Sequence, residues 1–340
     1  MSGKTISEND FFAGVDVGNY DTKTPSTSFL SGYTVSTNKP FGVAEDYYLV
    51  FEGTYYVLSQ QRFPYVQDKT VDEKMFILTL FGIAKEMETV FSKRFEETAH
   101  PKNHVKQAIA DTTTVHLGVG LPPAHLAAQN ERTVSYYKEM FGKGVKFTYN
   151  GNDYDLKLGE IEVYPQNFAV IAADGRRNPD SIMAQYPDFY TLDFGGFTLD
   201  KIAITNRKLD LAQCDSLEDG IVTFCDSVIA QVRRNRGVTI DEKSILNVLT
   251  GVRTIFDDET IALIKSLAES WTHSVLDKIQ QTGANFKTRP VVFMGGTSIL
   301  LKEYIATYPG LLKYEILENV NANAEAYRKL IKYTVTSKQK

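Results

Sequence analysis

Two stretches of this sequence share one plan. GVDVGNYDTK begins at Gly14, and TLDFGGFTLDK begins at Thr191. Each has an apolar run, an aspartate, one residue, a glycine, a small or amide residue, an aromatic residue and then polar residues. The aspartates, Asp16 and Asp193, are 177 positions apart (193 − 16), about half of the 340 residues. Because a short apolar run predicts a buried strand, the repeat predicts two similar halves, each with an Asp-x-Gly turn at a strand end.

The two turns carry the residue types that bind phosphate together with a metal ion. Glycine permits close approach of a backbone, and Gly-rich turns can point N–H groups at an anion. Facing each other across a cleft, the turns would form an anion clamp. Asp16 and Asp193 would hold Mg²⁺ through water, because Mg²⁺ gives up its hydration shell reluctantly, and Lys23 would add a positive charge. One Asp-Gly turn alone is ordinary, but the paired occurrence favours a binding site.

A third glycine-rich element lies late in the chain. VVFMGGTSILL places Gly295 and Gly296 between a predicted buried strand and a predicted helix. A bare backbone there can lie flat against a planar ring or a ribose. Gly-Gly before a helix is common, so this element supports a nucleotide site only in combination with the two turns.

Strand and helix patterns alternate along the whole chain. Residues 46–58 predict a hairpin about Glu52-Gly53, and Asn150-Gly151-Asn152 predicts another. A long helix follows residue 68, with Thr70 as its N-cap and Glu73 as the capping-box partner. Other predicted strands are 11–17, 113–121, 145–149, 154–158, 160–165, 190–204 (a hairpin) and 291–294, and other predicted helices are 124–141, 166–173, 217–234, 241–249, 257–281, 298–307 and 321–334. This mixture predicts two α/β halves that share one cleft.

Composition excludes several classes of protein. The net charge of −5 argues against broad binding of nucleic acid by the chain itself. The apolar runs are far shorter than the roughly 20 residues of a membrane span, and the polar N-terminus lacks a signal-peptide core. Cys214 and Cys225 lack metal-ligand spacing, so reduced structural thiols are expected. We expect a cytoplasmic protein with no direct contact to membrane or nucleic acid.

The order of the three glycine-rich elements resembles that of the actin, Hsp70 and sugar-kinase superfamily. Within it, the sequence resembles the bacterial actin-like plasmid-segregation proteins of the ParM/StbA family from Phe12 to about Lys332. DVGNYDTK is similar to the first phosphate loop, LDFGGFTLD to the second and FMGGTSILL to the adenosine motif. The resemblance implies an actin-like fold, a duplicated ribonuclease H-like α/β architecture with two domains flanking a nucleotide cleft. Domain I would be 1–175, with a C-terminal helix at 321–336 packing back on it, and domain II would be 176–320.

The resemblance also implies roles for individual residues. EVYPQN is similar to the segment that orients the attacking water, which places Gln166 in that role, although some members have glutamate there. An amide can orient water but cannot accept its proton, so slow hydrolysis that acts as a timer is expected. The expected catalytic residues are Gln166, Asp193 and Asp16, the phosphate-binding residues Gly18, Asn19, Lys23, Gly195, Gly196, Phe197 and Thr198, and the ribose- and base-binding residues Glu218, Asp219, Gly295, Gly296 and Thr297. Acids near a helix N-terminus are also common for electrostatic reasons, so the roles of Glu218 and Asp219 stay open.

By resemblance, the protein is expected to be an ATPase that forms head-to-tail filaments with bound nucleotide and Mg²⁺. It would move plasmid copies apart through a DNA-bound adaptor, and hydrolysis would destabilise the filament. GTP is an alternative nucleotide, since a glycine pair does not select adenine. Two other functions stay open at this point: a small-molecule kinase of the same superfamily, and a nucleotide-binding scaffold that does not hydrolyse.

Overall fold

The computed structural model describes residues 7, 9–174 and 178–338. The chain forms two compact units. The first unit extends to Ala173 and includes the chain from Asn321 onward, and the second unit is Asp174–Val320. The predicted domain boundary between residues 175 and 176 lies outside the described residues.

Strands and helices alternate through both units. The strands are β1 Asp10–Val17, β2 Asp21–Lys23, β3 Ser28–Leu30, β4 Tyr33–Ser36, β5 Tyr48–Phe51, β6 Thr54–Leu58, β7 Thr113–Leu121, β8 Val145–Tyr149, β9 Asn152–Pro165, β10 Phe189–Phe194, β11 Leu199–Thr205, β12 Lys208–Leu209, β13 Asp215–Leu217, β14 Val291–Met294 and β15 Tyr314–Ile316. The helices are α1 Lys74–Phe95, α2 Pro101–Ala110, α3 Pro123–Phe141, α4 Phe168–Asp174, α5 Ile182–Gln185, α6 Ile221–Arg236, α7 Glu242–Leu249, α8 Asp258–Gln281, α9 Gly296–Leu300, α10 Lys302–Ala306 and α11 Ala322–Ser337.

The two units repeat one strand order. The sheet of the first unit runs β3-β2-β1-β7-β9 and continues through β8-β5-β6-β4, and the sheet of the second unit runs β12-β11-β10-β14-β15. In each unit the strand that carries the Asp-x-Gly aspartate is antiparallel to the strand after it and parallel to its other neighbour. The next strand outward is parallel as well. This shared topology confirms the predicted duplication.

The closing helix α11 packs on the sheet of the first unit through glycines. A Cβ built on Gly14 of β1 would lie 2.0 Å from the carbonyl oxygen of Ala324. A Cβ on Gly118 of β7 would lie 2.7 Å from the carbonyl oxygen of Tyr327, and one on Gly120 only 1.9 Å from its hydroxyl. These three positions therefore exclude larger residues, because the backbone of α11 at Gly14 and Gly118, and the Tyr327 side chain at Gly120, already occupy the space of a side chain.

The predicted N-cap of the long helix was wrong. Helix α1 begins at Lys74, and Glu73, at its N-cap position, makes no capping hydrogen bond with its side chain. Thr70 instead lies in a short 3₁₀ helix, Lys69–Val71, whose cap is Asp68. Asp68 accepts hydrogen bonds from both the backbone N–H and the hydroxyl of Thr70. The aspartate two residues earlier therefore engages Thr70, and the chain makes a separate turn before α1.

Strand β9 joins two predicted strands into one. Gly159 separates the predicted runs 154–158 and 160–165, yet the strand continues through it. The register with β7 shifts between Val115 and Leu117, and the backbone N–H of Glu160 donates to Nδ1 of His116 at 3.0 Å. A Cβ on Gly159 would lie 2.7 Å from the His116 ring. The glycine thus accommodates a β-bulge rather than a turn.

Two other predicted helix starts shift along the chain. The helix predicted from 217 begins at Ile221, because residues 215–217 form β13 and pair with β11. The helix predicted from 166 begins at Phe168, because Asn167 adopts a left-handed conformation with φ of 61°. No helix within the described ranges has both the length and the apolar character that a membrane span requires.

Candidate nucleotide-binding loops

The two Asp-x-Gly turns close in the same way. The N–H of Gly18 donates to the carbonyl of Asp21 at 2.9 Å, and the N–H of Gly195 donates to the carbonyl of Thr198 at 2.9 Å. A Cβ on Gly18 would lie 2.7 Å from the Asp21 oxygen, and one on Gly195 would lie 3.0 Å from the Thr198 oxygen. The sequence repeat at a spacing of 177 therefore corresponds to one repeated turn geometry, which requires glycine at its first position.

The residue opposite each aspartate differs between the two loops. Asp16 is paired with Lys23 across β1 and β2, and Asp193 is paired with Asp200 across β10 and β11. Directly opposed residues of an antiparallel pair have neighbouring side chains. The first loop thus combines an anion with a cation, whereas the second loop combines two carboxylates.

In the first unit, Gln166 contacts Asp16. The Nε2 group of Gln166 donates to Oδ1 of Asp16 at 3.0 Å, across 150 positions of sequence. The backbone N–H of Gln166 donates to the carbonyl of Leu121 at the end of β7, which fixes the turn after β9. Asp16 is buried, with 8% of its surface exposed. Because the amide nitrogen is engaged, the amide oxygen of Gln166 is the atom suited to orient a water molecule.

Lys69 also lies beside Asp16 and Gln166, and the sequence did not predict this position. It lies in the 3₁₀ helix before α1, and its Nζ donates to the carbonyl of Val17, the residue after Asp16. Burial lowers the pKa of Lys69 to about 8, and the Asp16 carboxylate partly opposes this shift. In the sequence, Lys69 resembles any lysine of a polar segment before a helix, so no local signal marks it.

The side chain of Asn19 holds a neighbouring segment. Its Nδ2 donates to the carbonyl of Val66 at 3.1 Å, and its Oδ1 accepts from the N–H of Val66 at 3.3 Å. The predicted contact of Asn19 with phosphate can therefore involve its backbone N–H, while the amide fixes the loop. Lys23 is partly buried at the end of β2.

In the second unit, the late glycine pair packs against the second loop. Gly295 has φ of 85°, and a Cβ there would lie 2.3 Å from Oδ1 of Asp193 and 2.5 Å from the carbonyl oxygen of Phe194. The hydroxyl of Thr297 donates to the carbonyl of Gly195 at 3.1 Å. Gly295 and Thr297, which the sequence predicted to bind the ribose or the base, therefore pack against the second Asp-x-Gly loop and against Asp193.

Gly296 has a different environment from Gly295. Apart from its chain neighbours and the backbone of its own helix, no heavy atom of the described residues lies within 4 Å of a Cβ built on Gly296, the first residue of α9. This open space beside a bare backbone is what a planar base would need.

Helix α6 begins on the second loop. The N–H groups of Ile221 and Val222 donate to the carbonyls of Gly195 and Gly196. A Cβ on Gly220 would lie 2.3 Å from the Gly196 oxygen. The first turn of α6 is thus capped by loop carbonyls, which fixes the backbone of Gly195 and Gly196 from behind.

The remaining residues of the second loop are partly buried, and Thr198 is hydrogen-bonded to a carboxylate. Phe197 and Thr198 are partly buried, and the Thr198 hydroxyl donates to Asp200 at 3.1 Å. Asp200 also accepts from the Ser216 hydroxyl at 2.6 Å. These bonds fix the outgoing end of the loop.

The two acids before α6 differ in their contacts. Asp219 binds Nζ of Lys278 on α8 with both carboxylate oxygens at 2.9 Å. Glu218 is exposed. Because the Asp219 carboxylate already has a cationic partner, Glu218 is the better placed of the two for a ribose hydroxyl.

The carboxylates suit Mg²⁺ that is held mainly by phosphate and water. Among the residues described, no group of three or more His, Cys, Asp or Glu side chains could hold a metal ion. Mg²⁺ bound with nucleotide uses one or two carboxylates and keeps several waters. Asp16 in the first loop and Asp193 in the second loop are each an oxygen donor of that kind.

Comparisons with known proteins support the fold. No protein-family model and no curated protein matches this chain. Among solved structures, it is similar to Ta0583, an archaeal actin homolog (16% identity, 94% of this chain and 99% of the other covered, TM-score 0.69), which has also been solved in complex with ADP. It is similar to a ParM in a 15-stranded filament from Clostridium botulinum (14% identity, 96% and 99% covered, TM-score 0.68). It is also similar to Bacillus thuringiensis ParM with ATP (10% identity, 97% and 99% covered, TM-score 0.60). The chain therefore has an actin-like fold, as the sequence predicted.

Proposed function

We propose that this protein is a nucleotide-dependent, filament-forming actin-like ATPase that drives plasmid DNA segregation through a DNA-bound adaptor. The observation that carries the proposal is the hydrogen bond between Gln166 and Asp16. It joins the residue expected to orient the attacking water to the residue expected to hold Mg²⁺, across 150 positions of sequence.

The residues of the two loops and Gln166 have separate proposed roles in hydrolysis. The glycines of both loops present backbone to the phosphates, and Lys23 adds positive charge. When bound, Mg²⁺ would neutralise charge on the phosphates, and the carboxylate of Asp16 in the first loop or of Asp193 in the second would hold it through water. Gln166 orients a water with its amide oxygen but accepts no proton. Slow hydrolysis is the expected result, which suits a filament whose lifetime is set by the nucleotide.

The compared proteins support two parts of the proposal, nucleotide binding and self-association. The archaeal homolog was solved with ADP and the Bacillus thuringiensis ParM with ATP, which supports nucleotide binding here. The Clostridium botulinum ParM forms a filament, which supports self-association through head-to-tail contacts. The net charge of −5 fits a cytoplasmic subunit that leaves DNA contact to a separate adaptor.

The test is light scattering with parallel phosphate release, after Mg-ATP or Mg-GTP is added to micromolar protein. The proposal predicts scattering that rises on addition of nucleotide and decays as phosphate appears. Phosphate release without scattering, accelerated by added hydroxyl compounds, would instead indicate a kinase. Tight nucleotide binding with neither signal would indicate a scaffold.

A further inference from the structure

The segment between β6 and α1 lies along the first phosphate loop. The N–H of Phe63 donates to the carbonyl of Ser31 at 2.9 Å, and Val66 exchanges two hydrogen bonds with the side chain of Asn19. These contacts hold residues 63–66 beside the loop. They bring the 3₁₀ helix that follows, with Lys69 at its start, to the end of β1.

The turn that carries Lys69 is fixed on both sides. Asp68 caps the 3₁₀ helix through Thr70. The guanidinium of Arg132 on α3 binds the other oxygen of Asp68. The backbone of Lys69 is therefore anchored independently of its own side chain.

The described residues of the first unit leave the ammonium group of Lys69 with fewer hydrogen-bond acceptors than it has donors. It carries three donors, and the carbonyl of Val17 accepts one of them. Asp16, the nearby carboxylate that opposes the loss of charge from Lys69, also accepts from Gln166. A partly buried cation is costly unless it is paired. Perturbed lysines of this kind are concentrated at functional sites.

The neighbours of Lys69 indicate which part of a nucleotide it would meet. Gln166, the residue proposed to orient the attacking water, contacts the same Asp16 carboxylate. The attacked phosphorus belongs to the terminal phosphate, so a group beside Asp16 and Gln166 lies near that phosphate rather than near the base. Lys23 is carried by β2, on the outgoing arm of the loop, and is a separate cation.

We propose that Lys69 donates to the terminal phosphate of the nucleoside triphosphate bound at the first loop, and that it thereby distinguishes triphosphate from diphosphate. This inference rests on the proposed nucleotide-binding function. An ammonium–phosphate hydrogen bond is charge-assisted and strong, and a diphosphate would leave the ammonium without its partner.

The test compares the affinities of a non-hydrolysable triphosphate and of the diphosphate, each with Mg²⁺, by calorimetry with adenine and guanine nucleotides. The variants are Lys69→Met, Lys69→Gln and Lys69→Arg. Lys74→Met is the matched control, since Lys74 is partly exposed at the start of α1 and contacts Asp72 and the ring of Phe63 rather than Asp16 or Val17. Loss of the charged contact is expected to reduce the preference for triphosphate about tenfold or more in the two neutral variants. Lys69→Arg is expected to restore part of the preference, and Lys74→Met is expected to retain it.

A structural role for Lys69 predicts another result. If the side chain only caps the Val17 carbonyl, both affinities fall together and the ratio stays at the wild-type value, which would overturn the inference. Wild-type protein that binds neither nucleotide would overturn the proposed function and this inference with it. Wild-type protein that binds both nucleotides, with an unchanged ratio in Lys69→Met and Lys69→Gln, would overturn the role of Lys69 alone.

Discussion

Alanine at Gly295 and at Gly296 should have opposite effects on stability. Gly295 has φ of 85° and ψ of 158°, a region open essentially only to glycine, and holding another residue there costs about 1–3 kcal/mol. The added methyl would also lie 2.3 Å from Oδ1 of Asp193 and 2.5 Å from the Phe194 carbonyl oxygen, and such overpacking costs about 1–3 kcal/mol more. Gly295→Ala should therefore reduce the free energy of unfolding by about 2–6 kcal/mol.

Gly296→Ala is the matched control for stability and the test for binding. Apart from its chain neighbours and the backbone of its own helix, no heavy atom of the described residues lies within 4 Å of its Cβ. Alanine in place of a helical glycine raises the free energy of unfolding by at most about 1 kcal/mol. The methyl would occupy the space proposed for the base, so nucleotide affinity should fall about tenfold, or about 1.4 kcal/mol.

The assays are urea unfolding for stability and calorimetric titration for affinity. Unchanged unfolding of Gly295→Ala would refute the steric argument, because the two oxygens would then have to move without cost. A Gly296→Ala protein that binds nucleotide as well as wild type would refute the placement of the base.

Three other variants test the site. Asp193→Ala should abolish Mg²⁺-dependent phosphate release, and release at the wild-type rate would exclude the metal role of this residue. Gln166→Ala should slow phosphate release with near-normal nucleotide binding and give longer-lived polymer in light scattering; unchanged release would assign Gln166 a structural role. Without nucleotide or Mg²⁺, Lys69→Met should be more stable than wild type at pH 7. The folded pKa of Lys69, about 8, is below the ordinary lysine value of 10.5, so the unfolded chain binds more protons between these values and wild-type stability rises with pH. The advantage of Lys69→Met in urea unfolding, at most about 3 kcal/mol, should thus shrink between pH 8 and 10.5, and an advantage independent of pH would contradict the burial argument.

The two Asp-x-Gly loops were predictable because the contacts that form each turn lie within a few residues of sequence. Gly18 and Gly195 close turns within three residues, and each aspartate lies near the end of a buried strand. Residue types at short spacing were therefore sufficient to predict both features. The same reasoning predicted the hairpin at residues 150–152, where Asn150 and Gly151 adopt positive φ.

Long-range partners were not predictable from one sequence. Lys69 meets Val17 across 52 positions, and Asp219 meets Lys278 across 59 positions. Neither lysine differs locally from a surface lysine. The wrong N-cap at Thr70 has a local cause instead, since Asp68, two residues earlier, binds the same threonine and the sequence pattern does not show which of the two residues acts as the cap.

The proposed function requires that the protein binds a nucleoside triphosphate together with Mg²⁺. The most direct measurement is calorimetric titration of the wild-type protein with a non-hydrolysable ATP or GTP analogue, with and without Mg²⁺, beside the Asp193→Ala variant. We predict that the wild-type protein binds the analogue saturably and that its affinity falls when Mg²⁺ is omitted. The Asp193→Ala variant should bind more weakly than wild type, with the same affinity whether Mg²⁺ is present or not. Absence of binding in wild type, or binding indifferent to both Mg²⁺ and Asp193, would contradict it.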